Sequence, residues 1–405
     1  MIGWEFPPFL AGGLGIHCLE LTTELSRKGV QIDFYMPHMA SIEGNRRVAD
    51  HHKHLRIIEV EADPEVLIQG GPYGGGGRQR GRGYEANFND AVMQYNERLL
   101  NAFDSYDADV IHCHDWITVP AAVELKHRTG KPLVFTVHST EYDRSAGFFP
   151  QNWIINLERL GIHEADAVIA VSGYTRDQLV ERFRGDASKI FPIHNGVNYD
   201  KLPASVTKDY NKSNRTVLFL SRVSRQKGPI FFMEAARKVL DVDPSVRFIM
   251  AGKGEMLPEM IQFAVRNNMM DRMSFTGYVT DAEAFSLFQN SDVYVLPSVS
   301  EPFGISILEA MTSGIPTITS KTTGVGEALN HVLKAHYWDT WEMADMILRL
   351  LDSRALREEL GRNGAREARK FTWDRCASAT LDVYRWTADQ ARRRNNRALP
   401  ASVSA

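Results

Sequence analysis

Val293-Tyr294-Val295-Leu296-Pro297, followed after three residues by Glu301-Pro302-Phe303-Gly304-Ile305-Ser306-Ile307-Leu308-Glu309, is the stretch that decides the fold. The first run is apolar throughout and stops at a proline, the pattern of a buried strand. Beyond Phe303 the apolar residues Ile307, Leu308 and Met311 fall at helical spacing. Glu301 is therefore expected in a loop at the C-terminal end of a strand, and Glu309 about two turns into the helix that follows. In an open α/β sheet ligands gather at that place, where a helix N-terminus offers unpaired N–H groups to an anion. An acidic loop residue beside an anion site suits sugar hydroxyls, not the phosphate. Taken alone, the pair also fits a solvated loop glutamate and a surface helix glutamate.

The same alternation extends in both directions. Cys18, Leu21 and Leu25 follow helical spacing, Gly29 supplies a stop, and Val30, Ile32 and Phe34 alternate as a strand. Strands are expected at 110–111, 133–137, 167–171 and 190–193. The polar stretch 208–215 interrupts the pattern as a linker. A second series follows at 217–220, 246–251, 273–275, 293–296 and 316–319. Strands alternating with amphipathic helices give parallel sheets. The expected architecture is α/β, with two Rossmann-like, doubly wound parallel-sheet domains facing across a cleft. The N-terminal domain takes residues 1–205 and the C-terminal domain 214–372. A closing helix occupies 373–393, and 394–405 is expected as a disordered tail. Only Ile2, Gly3 and Trp4 precede Glu5-Phe6-Pro7-Pro8, so the first strand is short. Either it is truncated, or the true start lies a few codons upstream.

With 405 residues the chain can form two or three domains with proper cores. Its formal charge of −3 gives no reason to expect a nucleic-acid partner. The three cysteines, Cys18, Cys113 and Cys376, are scattered, which suits a reducing cytoplasm. No apolar run reaches membrane-span length, and the N-terminus lacks a signal-peptide pattern. A cytoplasmic location is expected. His51, His52, Lys53, His54 and Arg56 form a basic cluster compatible with a peripheral membrane contact, although a solvated surface accounts for it. The sequence carries no signal of oligomeric state.

Several short segments carry chemistry. Arg222 and Lys227, in Ser221-Arg222-Val223-Ser224-Arg225-Gln226-Lys227-Gly228, follow the first strand of the second domain. Two cations at a strand end suit a diphosphate, Arg by bidentate contact and Lys as a mobile point charge; a basic surface turn is the plainer alternative. Gly12-Gly13-Leu14-Gly15 lies between the first strand and first helix, where glycines let backbone approach a phosphate. The spacing is not G-x-G-x-x-G and no acidic ribose-binding strand end is evident, so a nicotinamide cofactor is not expected. His138 ends an apolar strand, and the neighbouring strand ends in His112-Cys113-His114-Asp115-Trp116. Alternation sends successive side chains to opposite faces, and no further ligand cluster is apparent, so no metal site is expected. Residues 70–83 are a Gly/Arg-rich segment read as a flexible loop, either a lid over the cleft or a loop without a role.

Together these segments resemble the GT-B glycosyltransferases over most of the chain. Glu301 and Glu309 with Phe303-Gly304 between them look like the E-x7-E signature of retaining glycosyltransferase family 4. The segment 221–228, His114-Asp115-Trp116, Phe135-Thr136-Val137-His138 and His194-Asn195-Gly196-Val197 look like glycogen and starch synthases. Phe371-Thr372-Trp373 resembles the start of their closing helix, which in that fold crosses back to the first domain. The resemblance implies that Arg222 and Lys227 hold the diphosphate of a nucleotide-sugar and stabilise it as it leaves. Backbone N–H groups at Gly12, Gly13, Phe303, Gly304 and Ile305 assist. Glu301 binds donor-sugar hydroxyls, Glu309 the ribose, and Tyr278 lies where the base is held. His138 contacts the sugar's primary hydroxyl, with Asp115 nearby. The donor, UDP- or ADP-glucose, is a substrate, and neither cofactor nor metal is implied.

The pattern also departs from the bacterial ADP-glucose synthases. They have lysine where this chain has Leu10 and aspartate where it has Asn198, and generally lack a second glutamate, here Glu309. The resemblance implies a hexosyltransferase, glucose being the sugar and an α-glucan the leading acceptor, with a lipid or small-molecule acceptor as the alternative. A nucleotide-sugar epimerase would need acid/base residues and no open acceptor site. A non-catalytic relative would have lost Arg222, Lys227 or Glu301.

Overall fold

Long apolar runs separated by amphipathic helices fold as two parallel sheets in the computed structural model, which describes residues 1–6, 13–38, 53–62, 86–198, 208–211 and 214–398. In the N-terminal half, β1 (Ile32–Pro37) pairs with β2 (Leu55–Val60). Then β3 (Ile111–His114), β4 (Leu133–Val137), β5 (Ala167–Ala170) and β6 (Ile190–Pro192) lie side by side in chain order. The short first strand joins the two groups. Ile2 bridges in parallel to Tyr35 on one side and Cys113 on the other, its N–H donating to the His112 carbonyl at 2.8 Å. The chain thus starts mid-sheet, runs outward to β1 and β2, and returns beyond Ile2 to β3.

The C-terminal half repeats this logic with β7 (Thr216–Leu220), β8 (Arg247–Ala251), β9 (Met273–Gly277), β10 (Val293–Leu296), β11 (Thr317–Ser320) and β12 (Leu333–Ala335). Their order is β12-β11-β10-β7-β8-β9, all parallel. The direction of winding reverses between β7 and β10, and loops leaving such a switch point in opposite directions open a crevice at the strands' C-terminal ends. Arg222 and Lys227 follow β7; Glu301 follows β10.

Each half has its own core. One holds Ile2, Phe34, Cys113 and Phe135; the other holds Val217, Phe232, Phe248 and Tyr294. The closing helix runs Trp373–Ala398, beyond the expected end at 393, and Trp373, Cys376 and Val383 on it are buried in the N-terminal core. Tyr384 of this helix hydrogen-bonds His112 Nδ1 at 2.6 Å. The chain crosses between halves where two recognised segments meet. Val197 donates to the Phe371 carbonyl at 3.1 Å, and a Cβ on Gly196 would stand 2.3 Å from the Trp373 nitrogen. Only glycine permits that backbone approach. Gly196→Val is expected to cost about 1–3 kcal/mol through overpacking against backbone that cannot yield. Thermal melting checks this, and an unchanged Tm would remove the close approach as the reason for the glycine.

Two strands differ from the sequence expectation. β2 and β12 are not among the expected strands because both carry polar residues: β2 is half-exposed, and β12 is the three-residue run Leu-Lys-Ala. The basic cluster belongs partly to β2. Arg56 there makes two bonds of 2.7 Å to the Asp33 carboxylate and also pairs with Asp104, so its charge is matched within the fold. His51 and His52 lie outside the described residues, as do Leu10, Gly12 and the segment 70–83.

Candidate active site

The loop after β10 positions Glu301 firmly. Its N–H donates to the Thr322 carbonyl at 2.9 Å, and its own carbonyl accepts from Gly324 at 2.8 Å. The side chain is buried, with Ser298 Oγ donating to Oε2 at 3.2 Å and Lys227 Nζ reaching the same oxygen at 2.5 Å. Lys227 comes from a single 3-10 turn, Arg225–Lys227, directly after β7. The switch point therefore joins the two groups that the sequence separates by 74 positions. Arg222 is half-buried two residues past β7.

The helix after Glu301 spans Ile305–Thr312, with Gly304 as N-cap at φ 107°, a conformation that favours glycine. Glu309 is thus the fifth helical residue, about one turn in and half-buried, not two turns in. The difference arises because 302–304 stay outside the helix to turn the chain. Phe303 is buried against His194 and Phe371, ring centroids 5.7 and 6.4 Å away, leaving only its backbone for any ligand. Facing this helix start is another. The helix Gly13–Arg27 begins where a Cβ on Gly13 would lie 3.5 Å from Ile305 Cδ1. The two helix N-termini, both partly positive, are neighbours, and the second follows the loop whose Glu301 holds Lys227. Tyr278 stands exposed just past β9, the Lys253 ammonium 5.8 Å from its ring.

The N-terminal switch point supplies Asp115 and His138. Asp115, just after β3, takes φ 57°, an uncommon conformation for a non-glycine residue that concentrates at functional sites. Its buried carboxylate accepts the His138 backbone N–H at 2.8 Å. Asp115 thereby acts as a positioning residue for His138. The His138 ring lies among other histidines: Nε2 is 3.2 Å from His114 Nδ1, and the His17 ring is 4.4 Å away centre to centre. Burial pushes His138 down to about 3, leaving it neutral near pH 7.

His17 is the residue sequence reasoning missed. A lone histidine on an apolar helix reads as core; here its Nδ1 meets Asn195 Oδ1 at 2.8 Å, while its buried Nε2 has no hydrogen-bond partner among the described residues. His17, His114 and His138 offer ring nitrogens within 4.8 Å of one another, a cluster the sequence did not reveal. His112 and Cys113, its other metal-ligand candidates, take no part. His112 uses both nitrogens on Tyr384 and Thr136, and Cys113 is core, its thiol pushed up to about 12 by burial. Contacts across the cleft were also illegible. Glu327 accepts from Gly173 and Tyr174 N–H groups at 2.7 and 2.9 Å and meets His194 at 2.8 Å. Ser300 Oγ donates to Asp143 at 2.5 Å.

Two doubly wound sheets facing one another, with cations at the C-terminal switch point and a histidine and an aspartate at the N-terminal one, define a GT-B glycosyltransferase architecture. The family model described as Glycosyltransferase Family 4 matches residues 11–201, and that of Glycosyl transferases group 1 matches 205–367. An uncharacterized glycosyltransferase of Methanocaldococcus jannaschii is 28% identical, the match covering 95% of this chain and 97% of the relative. Glycogen synthase of Mycobacterium tuberculosis is 26% identical, covering 95% and 93%. D-inositol 3-phosphate glycosyltransferase of Corynebacterium diphtheriae is 25% identical, covering 92% and 90%. Among solved structures, sucrose-phosphate synthase from Thermosynechococcus elongatus superposes with TM-score 0.73 at 21% identity, covering 93% of each chain. Anabaena HepE in complex with UDP and glucose superposes with TM-score 0.69 at 17% identity, covering 94% and 98%. The chain belongs to glycosyltransferase family 4, with the GT-B fold. No helix among the described residues is long and apolar enough to cross a membrane.

Proposed function

We propose that this glycosyltransferase moves a hexose, glucose foremost, from a nucleotide-sugar to a carbohydrate acceptor with retention of configuration. The observation that carries this reading is the Lys227–Glu301 pair in the loop that leads into one of two neighbouring helix starts. A diphosphate between those helix ends meets N–H groups and the cations Lys227 and Arg222. Glu301, already holding Lys227, has carboxylate capacity left for sugar hydroxyls. As the bond from the anomeric carbon to phosphate breaks, negative charge grows on the departing diphosphate and the sugar becomes oxocarbenium-like. The acceptor oxygen bonds to the same face of that carbon, and its proton passes to the departing phosphate oxygen. In this proposal Lys227 and Arg222 supply the positive charge without a metal. Glu309 is the proposed ribose ligand and Tyr278 the proposed base contact. Neutral His138, its backbone fixed by Asp115, is the proposed donor to the sugar's primary hydroxyl.

An α-glucan acceptor follows from the synthase-like segments and the mycobacterial relative. The inositol-phosphate glycosyltransferase, similar over comparable lengths, supports a second reading with a small-molecule acceptor. Offering UDP- and ADP-sugars with glycogen, maltose, inositol phosphate and no acceptor separates the two. Acceptor-dependent nucleotide release and an α-linked product from an α-linked donor are expected. Absence of both binding and turnover with every donor would end the transferase proposal.

A further inference from the structure

The loop 145–150, Ser-Ala-Gly-Phe-Phe-Pro, is not used by the chemistry above, yet it is built at considerable cost. Two of its non-glycine residues, Ala146 and Phe149, take positive φ values of 51° and 49°. Such backbone persists only where the surroundings over-determine it, and it clusters at ligand sites. The surroundings here are a buried charge network. Arg144 reaches the Glu158 carboxyl at 2.6 Å, Glu141 at 3.4 Å and the Ser139 carbonyl at 2.7 Å, and Glu141 in turn accepts the Gln151 N–H at 3.0 Å. Both flanks of the loop are therefore fixed. Its tip presents Phe148 and Phe149 to solvent, 55% and 89% exposed.

The loop's place gives those rings a purpose. At its base Asp143 accepts from Ser300, the residue before Glu301. At its tip the Phe148 ring lies 4.7 Å from the guanidinium carbon of Arg225, in the turn that carries Lys227. An N-terminal-domain loop thus spans the cleft, anchored at both of the segments that carry the donor-site charges.

We propose that Phe148 and Phe149 form an acceptor platform, on which a pyranose ring of a carbohydrate acceptor stacks while its hydroxyl points toward the donor sugar. The proposal rests on the transferase reading above and adds the acceptor's binding surface. An aromatic face attracts the partly positive C–H face of a sugar ring and leaves its hydroxyls in water. A lipid chain would need an enclosed apolar groove to escape water, which two open rings on a loop tip do not make. The Arg225–Phe148 contact holds one ring against the phosphate-binding turn, and Phe149 presents the freer face.

The test compares Phe149→Ala, Phe149→Leu and Phe149→Tyr with the wild type, using maltooligosaccharide acceptors. Loss of the aromatic face and of the area it buries predicts an acceptor KM raised on the order of tenfold in Phe149→Ala and Phe149→Leu. Phe149→Tyr should stay within about twofold of wild type, because the face is kept. Donor KM, acceptor-free nucleotide release and Tm should not move. Intact wild-type turnover with unchanged acceptor KM in Phe149→Ala overturns the platform alone. Full rescue by leucine overturns it too, because apolar bulk and not an aromatic face would then be what matters. No acceptor-dependent turnover by the wild type would remove the carbohydrate-transferase reading, and the platform with it.

Discussion

Lys227→Ala is expected to lower kcat by on the order of 10²-fold or more, with a smaller change in donor KM. Lys227 follows β7 and Glu301 follows β10, and in the proposed mechanism this one cation faces both the leaving diphosphate and the carboxylate. In that mechanism the charge it balances grows between ground and transition state, so its loss falls mainly on kcat. The substitution also leaves the buried Glu301 without its cation, which could depress activity indirectly. A double-mutant cycle of Lys227→Ala and Glu301→Gln separates the effects, with the Glu301→Gln single variant as the reference. If Lys227 acts on the leaving group, Lys227→Ala lowers kcat further even in the Glu301→Gln background. Arginine is not an equivalent replacement, since its planar fork cannot reproduce a compact point charge in the same turn. An unchanged kcat in Lys227→Ala would remove this residue from the mechanism.

Stability is expected to collapse as pH falls below about 6.5. Burial pushes the pKa of His17, His112, His114 and His138 downward, with neighbouring charges adding to the effect in the first three. In the unfolded chain these rings take up protons near pH 6.5; in the folded chain they stay neutral far below it. The unfolded state then binds more protons, so the stabilisation is complete above pH 6.5 and is lost as pH drops. Glu158 works the other way: raised to about 8 by burial, it gains as pH falls from there toward 4.5. Four groups against one leave a limiting slope of roughly 4 kcal/mol per pH unit, at about 1.4 kcal/mol each. One or two units would remove roughly 4–8 kcal/mol from a typical stability of about 5–15 kcal/mol. Melting curves from pH 8 to 5 test this, and a flat Tm would rule out neutral burial of the cluster. His17→Gln should reduce the slope by about one proton's worth.

The fold was readable because its signals are local. Runs such as 133–137 and 293–296 are apolar throughout, as strands buried on both faces must be, and helices with clear stripes separate them. β2 and β12 escaped because partly solvated edge strands lack that signature. Among the site residues, Arg222, Lys227, Glu301 and His138 could be singled out as groups at strand ends. Asp115 was legible as a neighbour of His138, but not as the acceptor of its backbone N–H, since that bond joins two loops through β-sheet register.

The sequence by itself determined the two parallel sheets, the rim on which charged groups collect, and the family resemblance. All of these follow from periodicity and from short contiguous segments. Tertiary structure alone decided that Lys227 rests on Glu301, that the starts of Gly13–Arg27 and Ile305–Thr312 converge, and that His17 joins His114 and His138. It likewise decided that an exposed pair of phenylalanines spans the cleft. The reason is physical. Strand order within a sheet, and the docking of one domain on another, are fixed by burial between segments far apart in the chain, and no local pattern of residues encodes which strand ends become neighbours.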